Sequence, residues 1–123
     1  MENCIFCKIL NGEIPSKKLY EDDKVIVIMD VNPKVDGHSL IIPKEHVVDF
    51  MGVNNELLTH MYDVARDMTN KLMSKLDAKA MTLCFNYGES QMVKHIHLHL
   101  LPDYDIKEAS RSVDEVYDIL KED

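Results

Sequence analysis

The chain has 123 residues, 46% of them hydrophobic and 29% charged, with a formal net charge of −8. That length suits a single domain over residues 1–123 built on one core. No apolar run approaches the roughly 18 residues of a membrane-spanning helix, and the acidic balance argues against binding a nucleic acid backbone.

An anionic ligand would have to be held by local donors against this repulsive field. The opening Met1-Glu2-Asn3-Cys4 has no basic region followed by an apolar stretch, so no signal peptide is expected. The three cysteines leave one unpaired in any disulfide scheme, which fits a reducing, cytoplasmic compartment.

In chain order, Cys4 to Leu10 is apolar-rich and closes at Asn11-Gly12, which predicts a short helix. Lys17 to Glu21 and Lys24 to Asp30 predict two strands joined at Asp22-Asp23. The run Val25-Ile26-Val27-Ile28-Met29 has the β-branched richness of a central strand. Pro33 biases Asn32 away from helix. Gly37-His38 opens a third strand, Ser39 to Ile42, which Pro43 ends. Asn54-Asn55 offers an N-cap to a long helix. Its apolar residues Leu57, Leu58, Met61, Val64, Ala65, Met68, Leu72 and Leu76 recur at helical spacing. The methionines on it read as core filler. Met81 to Phe85 predicts a fourth strand, leading into the turn Asn86-Tyr87-Gly88. Ser112 and Glu115 form a capping box before a short C-terminal helix. With the histidine-rich segment as a fifth strand, the pattern predicts an α+β fold: a mainly antiparallel five-stranded sheet, one long helix, and short N- and C-terminal helices.

That fifth segment, His95-Ile96-His97-Leu98-His99-Leu100-Leu101, carries the strongest chemical signal. Its alternation predicts a strand with Ile96, Leu98 and Leu100 on one face and three imidazoles on the other. The row could be a solvated face, a metal site or a divided catalytic set. Residues i and i+4 of a strand lie roughly 13 Å apart, too far for all three to share one ion without a bend, though an adjacent pair could share one. In a divided set, one imidazole would act as nucleophile or acid–base group and its neighbours would orient it.

Cys4-Ile5-Phe6-Cys7 is the second signal. A C-x-x-C pair is a redox couple, half of a zinc site or two buried thiols. A structural zinc needs two further ligands, for which His38, His46, His60 and the triplet are available. His60, within the long helix, reads as a surface or packing residue. His38 and His46 flank the third strand. Asp30 either caps a turn or meets a ligand hydroxyl, and Cys84 reads as an inert core residue.

Taken together, these residues resemble the histidine triad family over almost the whole chain. The resemblance rests on His95 to Leu101, on Asn86-x-Gly88 and Gln91-x-Val93-x-His95, and on Ile5-Phe6-Cys7-Lys8-Ile9, Gly12-Glu13-Ile14-Pro15 and Tyr20-Glu21-Asp22-Asp23. It rests also on Asp30-Val31-x-Pro33 and Gly37-His38-x-Leu40-x-Ile42-Pro43-Lys44-x-His46. It implies a nucleotide-binding α+β fold, a two-fold homodimer, and hydrolysis or transfer at the α-phosphate of a purine nucleotide. By that resemblance His97 is the nucleophile, His99 bonds the phosphate, and His38 and His95 stand behind it. Asp30 binds the ribose hydroxyls. Phe6, Ile9, Ile28 and Val31 form the base pocket, with Gln91 and Asn86 near the scissile bond. Cys4, Cys7, His46 and His95 match the structural zinc ligands that some members carry.

The chain departs from the family at Met92, where the phosphoramidase branch has a serine near the leaving group, and at Ser90 in a short loop. The tail beyond the triad also lacks the Trp-Pro ending of the animal phosphoramidases. Phosphoramidase and dinucleoside polyphosphate hydrolase activities are both consistent with the pattern. The rival readings are a non-catalytic, zinc-stabilised nucleotide-binding module and a metal-dependent hydrolase with His95 and His97 as ligands.

Overall fold

The computed structural model describes residues 3–121, so residues 1–2 and 122–123 of the expected domain lie outside it. The elements are α1 (Ile5–Leu10), β1 (Lys18–Glu21), β2 (Val25–Met29), β3 (Ser39–Pro43), α2 (Asn55–Leu76), β4 (Met81–Cys84), β5 (Leu98–Pro102) and α3 (Val113–Leu120), with a 3-10 turn at Gly88–Ser90. The strands form one five-stranded sheet in the order β1-β2-β3-β5-β4, and every neighbouring pair is antiparallel. The α+β reading holds, with β5 inserted between β3 and β4.

The continuous apolar run of β2 is explained by burial on both faces. Val25, Val27 and Met29 alternate onto the face covered by α2, where Met61, Val64, Ala65, Met68 and Leu72 pack, joined by Val116 and Leu120 of α3. Ile26 and Ile28 point the other way, into a cluster with Leu40, Ile42, Phe6 and Cys4. This second face, called the front below, is the one that α1 covers in part. Each fully buried aliphatic side chain contributes about 1.5–3 kcal/mol, so the α2 stripe is the main source of stability. Asn54 caps α2 through its side chain, and both limbs of the Ser112–Glu115 capping box are made. No helix among the described residues is long and apolar enough to cross a membrane.

One expected element is shorter than its periodicity suggested. The fifth strand begins at Leu98, not His95. Its ladder with β3 runs through Ser39↔Leu100, Leu40↔His99 and Ile41↔Leu98 and then stops. Beyond that point the strand partner changes. The Pro43 carbonyl is taken by the His95 side chain, and the Ile96 N–H bonds the Val47 carbonyl at 2.7 Å. His95 and His97 therefore precede the strand, and the three imidazoles do not form one row.

Gly37 prepares the site. Its φ is +87°, and a Cβ there would lie 2.5 Å from Leu76 Cδ1 and 3.2 Å from Pro102 Cγ. Only glycine fits that turn so close to the α2–β5 layer. The chain then enters β3 with His38 buried.

Candidate active site and metal centre

The register across the sheet aligns Ile28, Leu40, His99 and Cys84 as direct partners on four strands. Directly opposite residues share a face, so His99 stands on the front face beside the apolar cluster of Phe6, Ile28 and Leu40.

Hydrogen bonds to backbone groups decide which nitrogen of each imidazole carries a proton. His97 Nδ1 lies 2.8 Å from the His95 carbonyl. A carbonyl only accepts, so Nδ1 is the protonated atom and Nε2 holds the lone pair. His38 Nδ1 receives the Lys34 N–H at 3.1 Å, which leaves the proton of His38 on Nε2. That atom lies 2.9 Å from His99 Nδ1 and 3.5 Å from Asp30 Oδ2. His99 Nδ1 accepts, and its own proton is placed on Nε2. His99 Nε2 is buried and has no partner within the protein. A buried donor without an acceptor is costly.

The three imidazoles are neutral at pH 7. Burial lowers the His97 pKa, opposed by the bond to His95 and by the Asp30 charge. Burial likewise lowers His38, with Asp30 opposing. His99 falls to about 4, through burial first and then the neighbouring His97 and His38. A neutral imidazole with a free Nε2 is a nucleophile. Phe6 meets the His97 ring edge-on at 4.9 Å between centroids and limits its rotation.

Asp30 caps a turn, its Oδ1 accepting the Asn32 N–H at 2.8 Å, while Oδ2 lies 3.5 Å from His38 Nε2. Phe6, Ile28 and Ile9 share one apolar cluster. Val31 stands apart from it, 76% exposed. Gln91 is buried, but its amide nitrogen is committed to the carbonyls of Val48 and Val93 at 2.6 and 3.0 Å, fastening the loop that precedes the triad. Asn86 reaches Ser90 Oγ at 3.3 Å. Cys84 is only partly buried and stands opposite His99, not within the core. His60 pairs with Asp22 at 2.7 Å and ties α2 to the β1–β2 turn.

His95 turns away from His97 into a different cluster. Its Nδ1 lies 3.4 Å from Cys4 Sγ, 3.6 Å from Cys7 Sγ and 3.1 Å from His46 Nδ1; Cys7 Sγ lies 3.3 Å from His46 Nδ1. All four ligand atoms fall within 4.8 Å of one another. A tetrahedral ion bound by two sulfurs and two nitrogens spaces them about 3.3–3.8 Å apart. The donor set also fits: His95 Nε2 donates to the Pro43 carbonyl at 2.8 Å, so its Nδ1 lone pair faces inward, the usual orientation of a ligating histidine. Cys4 is the N-cap of α1, its sulfur receiving the Cys7 N–H, which brings both sulfurs to one side. The three cysteines are free thiols. His95 and His97 share no metal-ligating cluster among the described residues, which removes the support for a metal-dependent hydrolase built on that pair.

The sheet thus carries a front-face nest of neutral histidines beside a Cys/His cluster able to hold a metal. The family model described as HIT domain matches residues 11–106, and the chain belongs to that family. A Zn-bound histidine triad family protein from Mycobacterium smegmatis superposes with a TM-score of 0.88 at 30% identity, covering 98% of this chain and 91% of that one. A HIT family hydrolase from Clostridium thermocellum is 38% identical with a TM-score of 0.75, covering 90% and 99%. An adenylylsulfatase of Arabidopsis thaliana is 36% identical over 81% of this chain and 52% of its own length.

The role of the Lys34 backbone, which sets the His38 proton and through it the His99 proton, left no mark in the sequence, because every residue but proline offers the same N–H.

Proposed function

We propose that the chain hydrolyses or transfers a purine nucleotide at its α-phosphate through a nucleotidyl-His97 intermediate. The observation that carries this reading is the pair of opposed tautomers: His97 with a bare Nε2 and, beside it, His99 with a buried, unpartnered Nε2–H. The His97–His99 ring centroids are 4.9 Å apart, so one phosphoryl group can meet both. His97 Nε2 attacks phosphorus, the N–P bond forms, and the bond to the leaving group breaks with its electron pair on the departing atom. Water then attacks phosphorus, the N–P pair returns to Nε2, and the water proton is released. His99 donates to a phosphoryl oxygen in both steps and His38 holds it in the donating tautomer. Asp30 receives the ribose hydroxyls, and the base lies against Phe6, Ile9 and Ile28. The hydrolase and adenylylsulfatase names of relatives support this chemistry.

Zinc fits the cluster of Cys4, Cys7, His46 and His95. With four protein ligands it has no open position, so its task is to pin α1 against the sheet and hold the residue whose carbonyl orients His97. The chain acts as a homodimer in this reading. An unpaired β4 edge with exposed Leu83, Tyr62 and Phe50 nearby supports such pairing.

The test is His97→Ala. AMP release from adenosine phosphoramidate, diadenosine tetraphosphate and adenylyl sulfate should be abolished, while nucleotide affinity stays within about tenfold, or ~1.4 kcal/mol. Wild-type protein quenched in alkaline detergent, which spares the acid-labile P–N bond, should carry a nucleotidyl group that the variant lacks. Turnover by the variant at the wild-type rate refutes the assignment.

A further inference from the structure

The segment that joins β5 to α3, residues 103–112, has no part in the chemistry above, yet it is fastened to the turn that delivers His38. Its start is fixed at Asp103, which has a φ of +55° and accepts the N–H groups of Lys79 and Ala80 at 2.8 and 3.0 Å. Its end is fixed by the Ser112–Glu115 capping box and by Val116 and Leu120 of α3, buried against α2. Between these anchors residues 104–112 are exposed and form a strap. A cavity of about 110 Å³, lined by Val35, Asp36, Leu76, Pro102, Lys107 and Ser110, lies where the strap meets the turn, so apolar packing does not seal that contact.

Asp36 closes the strap onto the turn. Its Oδ1 accepts the N–H groups of Ser110 and Arg111 at 3.0 and 3.1 Å, and its Oδ2 accepts the Ser110 hydroxyl at 3.1 Å. Hydrogen bonds to a carboxylate are the strong kind, and here three of them converge on one half-buried side chain. Asp36 also sits inside the turn that shapes the site. Within residues 34–38 the Lys34 N–H meets His38 Nδ1 at 3.1 Å, and the His38 N–H meets the Val35 carbonyl at 3.2 Å. Gly37 packs its backbone against Leu76 and Pro102. The Lys34 bond leaves the His38 proton on Nε2, and through it the His99 proton on Nε2. Lys34 is exposed, so water competes for its N–H, and the bond lasts only while the turn keeps its shape. Gly37 holds the turn from the inside and the strap holds it from the outside.

We propose that Asp36 is a positioning residue for the reaction: by clasping the strap it holds the Lys34–His38 turn closed, and so keeps His99 in the tautomer that donates to a phosphoryl oxygen. Asp36 touches no reacting atom, and its effect passes through His38. Its charge is not required, because an asparagine there can accept the two N–H groups through its carbonyl and donate to Ser110 Oγ through its amide. This rests on the α-phosphate reading above.

The experiment compares wild type with Asp36→Ala, Asp36→Asn and Ser110→Ala, and with Asn54→Ala, which is destabilised at the α2 cap away from the turn. All are studied below their melting transitions. The first readout is the tautomer of each histidine, from proton–nitrogen correlation spectra of the free protein, and needs no substrate. Asp36→Ala should give His38 and His99 a share of the opposite tautomers and leave His97 unchanged. The second is turnover of adenosine phosphoramidate: Asp36→Ala should lower kcat about tenfold while KM stays within about twofold. Ser110→Ala, which loses one of the three bonds, should move both readouts less and in the same direction. Asp36→Asn should restore most of the wild-type values, and Asn54→Ala should keep the wild-type kcat. Wild-type tautomers and kcat in Asp36→Ala overturn the proposal, and so does an equal fall of kcat in Asn54→Ala at a matched loss of melting temperature. If Asp36→Ala does not fold, wild-type tautomers in Ser110→Ala overturn it. Wild-type protein that forms no nucleotidyl-His97 overturns the α-phosphate reading, and the tautomers then still decide whether the clasp orders the turn.

Discussion

His38→Ala is the perturbation that most directly probes how the site is wired. His38 is 1% exposed and bridges the Lys34 N–H, at 3.1 Å, to His99 Nδ1, at 2.9 Å. Removing the ring leaves both groups without this partner, at up to about 1–3 kcal/mol where water cannot replace it, and empties a buried position, so the variant should melt below wild type. The more specific effect falls on His99. While His38 donates to Nδ1, the Nε2–H tautomer of His99 is favoured by the worth of that bond. Loss of about 1–3 kcal/mol changes the tautomer ratio by about 5- to 150-fold. His99 then offers a lone pair where a phosphoryl oxygen requires a donor, and kcat should fall while the His97 nitrogen pattern is unchanged. Long-range proton–nitrogen correlation spectra of histidine-labelled protein read both tautomers directly, below the melting transition. If His99 in the variant still carries its proton on Nε2 to the wild-type extent, the relay from Lys34 through His38 to His99 is wrong.

Asp30→Ala should weaken nucleotide binding by roughly 1.5–3 kcal/mol through the ribose and reduce discrimination against deoxyribonucleotides; preserved discrimination in calorimetry would leave Asp30 only its turn-capping bond to Asn32. Protein purified reduced and without chelator should contain about one zinc per chain, and Cys4→Ser should lower both zinc content and melting temperature while nucleotidyl transfer to His97 survives at moderate temperature; elemental analysis finding no zinc in wild type removes the structural-metal assignment. Burial raises the Asp22 pKa, but the N–H groups of Lys24 and Val25, the Tyr20 hydroxyl and His60 outweigh it and hold the carboxyl at about 2. Because this folded value lies below the ordinary aspartate value of about 3.9, the stabilisation is present above pH 4 and lost as pH falls through 2. Asp22→Asn should flatten acid-induced destabilisation in that window, and an unchanged slope would mean the β1–β2 turn carries no such linkage.

The fold was legible wherever one physical signal dominated. The helical spacing from Leu57 to Leu76 reappears as the buried stripe of α2, and the Ser112–Glu115 box begins α3. Burial of β2 on both faces was visible as an unbroken apolar run. The histidine segment shows why periodicity alone overreaches. Alternation is preserved from His95 to Leu101, but a strand also needs a ladder partner. The partner fails at Pro43, whose nitrogen has no proton and whose carbonyl is claimed by His95. Val31 and Gln91 illustrate a different gap. The family resemblance implied a pocket wall and a polar group near the scissile bond, yet exposure of one and two carbonyl bonds of the other depend on loop paths that sequence patterns do not encode.

The early end of the strand is also what allows three histidines so close in sequence to differ in task. On a regular strand His95 and His99 would lie roughly 13 Å apart on one face, with His97 between them, and nothing would set their tautomers apart. Here residue 95 divides its own groups: its ring joins Cys4, Cys7 and His46, while its carbonyl fixes the proton of His97. His99, inside the ladder, takes its proton position from His38 on the neighbouring strand. The Cys/His cluster and the His97 ring are thus joined through one residue's backbone. That arrangement explains why a Cys4 variant should lose stability and metal before it loses the chemistry at His97.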